Sequence, residues 1–167
     1  EYLAYDMYDD SSADLGDFEV NSNIIESDGD GIYAYNLFYW GYTLEGNVDV
    51  TFGHVEFNDN WIQADGNGIY ILYFYDIGSD TDYGDVTFTI GNFEVQRNRI
   101  NATDGTGLTI YEIDELAYDV YYGSVMTFGD FLFNDNIINA TDDGIYNYYI
   151  EYLAYDMYDE SIAYFGD

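Results

Sequence analysis

GHVEFNDNWIQADGNGIYILYF, residues 53–74, holds the pattern on which the fold turns. Its first half recurs as GDFEVNSNII from Gly16, GNFEVQRNRI from Gly91 and GDFLFNDNII from Gly129. Its second half, GIYIL from Gly68, recurs as GIYAY from Gly31, GLTIY from Gly107 and GIYNY from Gly144. Asn23, Asn60, Asn98 and Asn136 mark the phase, at intervals of 37, 38 and 38 residues. A fixed period of this size is the mark of a solenoid or another repeat array. Within the first half, Phe18 and Val20 flank Glu19, Val55 and Phe57 flank Glu56, and Phe93 and Val95 flank Glu94; in the fourth copy Phe131 and Phe133 flank Leu132. Alternation at period two among β-branched and aromatic residues predicts strands with one buried face. A helical solenoid is a poor fit, because Gly, Asn and Asp interrupt every window long enough for a helix and strong helix formers are scarce.

The chain therefore reads as all-β, a parallel β-solenoid of four repeats over residues 1–167, with blocks at 16–52, 53–90, 91–128 and 129–165. Each repeat makes either one broad coil or a pair of unlike coils. In the second repeat the expected order is a strand near 50–52, a second at 55–58, a turn at Asn60 and an arm to Ile62. An Asp/Gly turn at 65–68, a strand at 69–74 and a Tyr-rich return segment follow. Stacking turns Ile25, Ile62, Ile100 and Ile138 into an interior ladder. It turns the four phase-marking asparagines into an amide ladder at a corner, where Asn also tolerates left-handed backbone. Glu19, Glu56 and Glu94 would stack as like charges, either solvated or relieved by cations or low pH. Residues 1–17 match residues 151–167 at 13 of 17 positions, so the chain is expected to be a section of a longer array or a stacking subunit.

Composition narrows the partners. Thirty-four acidic residues face two Arg and no Lys, for a net charge of −32. Such a field repels nucleic acid and anionic lipid, and favours cations or basic partners. With 48% apolar and 21% aromatic residues, including 22 Tyr, the chain can bury a core and is no disordered acidic tail. The absence of Cys excludes disulfides and thiolate metal sites. No run approaches the length of an apolar membrane helix.

Asp and Gly gather at each second turn, where Asp28, Asp30, Asp65, Asp104, Asp142 and Asp143 are candidate calcium ligands; Asp-Gly is equally ordinary turn chemistry. NAT at Asn101 and at Asn139 forms two glycosylation sequons at one phase. Tyr39, Trp40, Tyr42 and residues 73–75 are candidate stacking surfaces for glycans. His54 reads as a surface polar residue, and Arg97 and Arg99 as bridges between acidic rows. No catalytic triad, HExxH or phosphate loop is present, so no enzyme is expected.

The blocks NSNIIESDGDGIYAY (from Asn21) and NDNIINATDDGIYNY (from Asn134) resemble the coils of right-handed parallel β-helix repeat proteins, especially those of archaeal cell surfaces. The resemblance implies right-handed coils, a corner role for Asn23, Asn60, Asn98 and Asn136, and inward Ile25, Ile62, Ile100 and Ile138. With it goes an expected extracellular structural role, as a building block of a filament, sheath or surface layer that associates with itself head to tail or side by side. An adhesin or glycan-binding stalk is the alternative, and a polysaccharide-degrading enzyme the third reading.

Overall fold

The computed structural model describes residues 3–4, 6–35, 37–158 and 160–166, with the backbone alone at 37–39 and 152. It is a right-handed parallel β-solenoid in which every strand pairing among the described residues is parallel. The second coil carries strands Val48–Phe52, Val55–Glu56, Trp61–Ala64, Ile69–Ile77 and Thr81–Asp82. The third repeats the order from Val86–Ile90 through Phe93–Glu94 and Arg99–Ala102 to Leu108–Leu116. Register decides between the two coil options. Ile25 pairs with Ile62, Ile62 with Ile100 and Ile100 with Ile138, so one repeat is one broad coil. The rise per coil is then the strand spacing, about 4.8 Å.

Two elements differ from the expected order. The stretch after Asn60 is a strand, with Ile62 and Ala64 inside and Trp61 and Gln63 outside. The strand from Ile69 runs on to Ile77 because it bends: Asp76 and Glu115 adopt φ of 53° and 50° and drop out of a register that resumes at Ile77 and Leu116. One left-handed residue at the same position of both strands, Asp76 and Glu115, turns the two together without changing the register or ending either strand.

The interior is built of apolar columns whose aromatic members interlock between columns. Phe52, Phe88 and Phe128 pack in sequence, and Phe93 meets Phe57, Phe74 and Phe131. Phe57, Phe88, Ile62, Ile69, Ile71, Ile100 and Leu108 are fully buried. Each such side chain contributes roughly 1.5–3 kcal/mol by leaving water. The return segment is wired from inside by buried hydroxyls: Ser79 Oγ donates to the Glu115 carbonyl at 2.6 Å, and Thr81 Oγ1 accepts from the Tyr121 N–H at 2.9 Å. Its backbone is left-handed at four residues per coil, Gly78, Asp80, Tyr83 and Gly84 in the second and Ala117, Asp119, Tyr122 and Gly123 in the third. Gly78 stands where the third coil has Ala because a Cβ there would press on Phe88 Cδ1 at 2.8 Å.

The left-handed corner falls elsewhere than expected. It lies on Ser22, Asp59, Arg97 and Asp135, with φ between 55° and 60°, one residue before each phase-marking asparagine. The reason is a division of labour: the corner residue turns the backbone, and the asparagine after it aims its amide into the stack.

Candidate functional site

Polar side chains run along the solenoid in rows. The innermost is Asn23, Asn60, Asn98 and Asn136. Asn98 Oδ1 accepts from the N–H of Asn60 at 2.9 Å and from its Nδ2 at 3.0 Å. Asn98 Nδ2 donates to Asn136 Oδ1 at 3.0 Å and to the Phe57 carbonyl at 2.7 Å. Asn60 and Asn98 are each 1% exposed, so these amides are closed to any ligand.

A second row runs through Asp17, His54, Asn92 and Asp130. Each side chain accepts the backbone N–H of its equivalent in the next coil: His54 N–H to Asp17 Oδ1 at 2.7 Å, Asn92 N–H to His54 Nδ1 at 3.0 Å, and Asp130 N–H to Asn92 Oδ1 at 3.0 Å. His54 is therefore more than a surface polar residue. Its Nδ1 stands in for a side-chain oxygen, so the imidazole carries its hydrogen on Nε2. Acceptor capacity is what the column shares, and that signal was present in the sequence.

Beside it, Glu19 pairs with Glu56 and Glu56 with Glu94, before Leu132 ends the row. The like charges are met by amides. Glu56 Oε2 accepts from Asn21 Nδ2 at 2.7 Å, and Glu94 accepts from Asn58 and Asn92, both at 3.1 Å. His54, Glu56 and Glu94 form the one trio of metal-ligating side chains among the described residues, their ligand atoms within 4.8 Å of one another. His54 Nδ1 and both carboxylates already hold hydrogen bonds. None of Asp28, Asp30, Asp65, Asp104, Asp142 and Asp143 belongs to that trio or to another. Asp30 Oδ1 accepts from the N–H and Nδ2 of Asn67 at 2.8 and 3.0 Å, and Asp65 Oδ1 accepts from Thr103 at 2.9 Å. These two aspartates work as rungs between coils.

Asn101 and Asn139 lie on the outer face of adjacent strands. Asn139 Nδ2 donates to Asn101 Oδ1 at 2.6 Å, and Asn101 Nδ2 donates to Gln63 Oε1 at 2.7 Å. Arg97 bridges coils through two 2.9 Å bonds to Asp59, which hold the Asp59 carboxyl below its ordinary range. Arg99 does not bridge; its guanidinium makes no hydrogen bond or ion pair among the described residues.

The expected aromatic platform needs correction. Trp40 is 4% exposed and stacks inside on Phe52, centroids 5.3 Å apart, and Phe74 is buried. Its column mates Ile77 and Leu116 are core residues, so a Trp there is core as well. Tyr42, Tyr73 and Tyr75 are half-buried, while the side chain of Tyr39 lies outside the described residues. Of the expected residues, Tyr73 joins a tyrosine face of exposed and half-buried rings: Tyr33 stacks on Tyr70 at 5.4 Å, Tyr111 on Tyr148 at 4.7 Å, and Tyr73 meets Tyr35 and Tyr111 edge-on.

Sequence reasoning also missed the bend at Asp76 and Glu115. There the Asp76 carboxyl is buried close to the Glu115 carboxyl. Burial first, then Glu115, Asp114 and Asp80, push Asp76 up to about 8; burial also raises Asp114 to about 6. A carboxyl raised in the folded state binds a proton that the unfolded chain releases near pH 4, so its contribution is complete below that pH and lost as pH climbs through the raised value. Melting temperature is accordingly expected to fall steadily between pH 5 and pH 8.5. Asp76→Asn should flatten that fall and raise stability at pH 8.5; an unchanged slope in the variant would refute the assignment.

Compared with protein-family models, with curated proteins and with solved structures, the chain matches none. Among the described residues no helix is long and apolar enough to cross a membrane. What the fold defines is the class, a parallel β-solenoid.

Proposed function

We propose that this chain is an extracellular structural protein, a β-solenoid block of a surface filament, sheath or surface layer of the kind found on archaeal cells. The observation that carries the reading is the tyrosine face. Tyr33 stacks on Tyr70 and Tyr111 on Tyr148 across coils, and Tyr70 and Tyr111, which have a coil on either side, remain half-exposed. A Tyr row offers flat apolar area at low entropic cost and a hydroxyl for the partner's polar groups. Two such faces would pack solenoids side by side. The surrounding carboxylates oppose that contact at low salt and permit it when screened or protonated. The extracellular placement draws on the resemblance of the NDNII and GIY blocks to surface β-helix proteins. No catalytic step is part of the proposal.

Sedimentation and negative-stain electron microscopy provide the test. The chain should be dispersed at pH 8 in low salt, and form lateral bundles at pH 4 or in molar salt. Tyr111→Ser with Tyr148→Ser should remain dispersed while keeping its β-sheet circular dichroism. Bundling that survives both substitutions would refute the role of this face.

A further inference from the structure

A different side of the coil carries a groove of about 270 Å³ that neither the polar rows nor the tyrosine face uses. It lies on the outside of the sheet made by Ile24–Ser27, Trp61–Ala64, Arg99–Ala102 and Ile137–Ala140. Register places Ile24, Trp61, Arg99 and Ile137 in one outward row, and Glu26, Gln63, Asn101 and Asn139 in the next.

Three independent observations describe what fits. Trp61 is 39% exposed, a broad indole left on the outside of a strand whose inward residues are buried. Arg99 is one of two cations against 34 acidic groups; Arg97 is clamped on Asp59, and Arg99 has no side-chain partner among the described residues. The amides point one way along the row, Asn139 to Asn101 to Gln63, which leaves the Gln63 Nε2 donor and the Asn139 Oδ1 acceptor without partners among the described residues.

We infer that this groove binds an oligosaccharide of mainly neutral sugars that carries a carboxylate. The C–H face of one pyranose lies on Trp61, the carboxylate of its neighbour forks onto Arg99, and ring hydroxyls meet the free ends of the amide row. Each pairing follows from chemistry. An aromatic face accepts flat apolar surface, a guanidinium holds a carboxylate through two parallel hydrogen bonds, and a half-satisfied amide chain asks for groups that both donate and accept. Trp61 and Arg99 occupy successive coils, about 4.8 Å apart. That rise is close to the length of one sugar in an extended chain, so the ligand runs along the rod. Charge complementarity sets the ligand's charge density. One free cation welcomes a carboxylate, while a net charge of −32 turns away nucleic acids and dense polyanions.

Calorimetry on the unglycosylated 167-residue chain tests this with two probes that differ only in charge. One is an aldotetraouronic acid, three xyloses bearing one glucuronate; the other is neutral xylotetraose. The acidic probe should bind the more tightly. Trp61→Ala should weaken both by about tenfold or more, and Arg99→Gln should abolish the preference while leaving neutral binding. Both side chains are outside the core, so circular dichroism and melting temperature should hold, and a lost signal then reports the groove. No binding of either probe at millimolar concentration overturns the inference, as does equal binding of the two by the unaltered chain or unchanged binding by Trp61→Ala. Mass spectrometry of material from the native source gives a second arm. An Asn101-linked glycan would overturn the inference, since the groove would then be filled by the chain's own modification; an unmodified Asn101 supports it.

Discussion

Asn98→Ala should lower stability by about 4 kcal/mol, a fall in melting temperature of about 8–16 °C for a chain of this size. The estimate follows from what the amide leaves behind. Its removal strands the Asn60 N–H, one hydrogen of Asn60 Nδ2, the Phe57 carbonyl and one lone pair of Asn136, all now bonded to it at 2.7–3.0 Å. A buried group without a partner costs about 1–3 kcal/mol, and a water entering the vacated space recovers part of the sum. Asn98→Asp keeps the oxygen and loses both donated bonds while burying a charge, so it should be at least as damaging. Asn23→Ala is the internal comparison. Asn23 is exposed and its side chain donates only to Asn60 Oδ1 and the Asn21 carbonyl at the edge of the described stack, so the loss should be about 1 kcal/mol. Thermal melts of the three variants check the series. Asn98→Ala within 1 kcal/mol of the unaltered protein would show that the row is ornamental.

Gly68→Ala should cost at least about 3 kcal/mol, although it adds only a methyl group. The φ of Gly68 is ordinary for any residue; the obstacle is its neighbour. A Cβ at Gly68 would overlap Ile100 Cγ2 and the carbonyl of Gly107, and at Gly107 it would overlap Ile138 Cγ2 and the carbonyl of Gly144. These obstacles are the next coil's backbone and a fully packed Ile, neither of which can yield without stretching the ladder on both sides. Gly144→Ala meets nothing within 4 Å in this chain and should be nearly neutral. Hydrogen exchange separates this effect from a global one. Protection in Gly68→Ala should fall first in Ile69–Ile77 and Leu108–Leu116, the strands that flank the strained step. Equal melting temperatures for the Gly68 and Gly144 variants would refute close approach as the reason for the glycine column.

The parts of this fold that were legible in the sequence are those that repeat. Ile62 could be placed inside because Ile25, Ile100 and Ile138 share its column, and the structure sets all four in register. The same comparison, carried further, would have separated the two tryptophans. Trp40 shares its column with Ile77, Leu116 and Leu153, all aliphatic, whereas Trp61 shares its own with Arg99, which no unpaired interior accepts. A single Trp says nothing about its side of a strand; the least apolar member of its column does. Other features stayed out of reach because they depend on geometry between segments. Asp76 reads as one more surface acid until a left-handed bend sets it beside Glu115. The left-handed corner could not be assigned to Asp59 over Asn60, since both residue types tolerate it. The candidate groove was missed because its parts come from three coils, and no one repeat contains Trp, Arg and the amide chain together.

One coil per repeat has a consequence for economy of reach. A repeat of 37 or 38 residues advances the rod by only about 4.8 Å, where the same residues in a helix would span roughly 57 Å. As a tether the design is wasteful. As a strut it is sound, because its mass goes into girth, resistance to bending climbs steeply with girth, and several sheets share any load along every rung. In the structural role proposed above, such a rod would suit walls and shafts that must keep their shape more than lines that must extend.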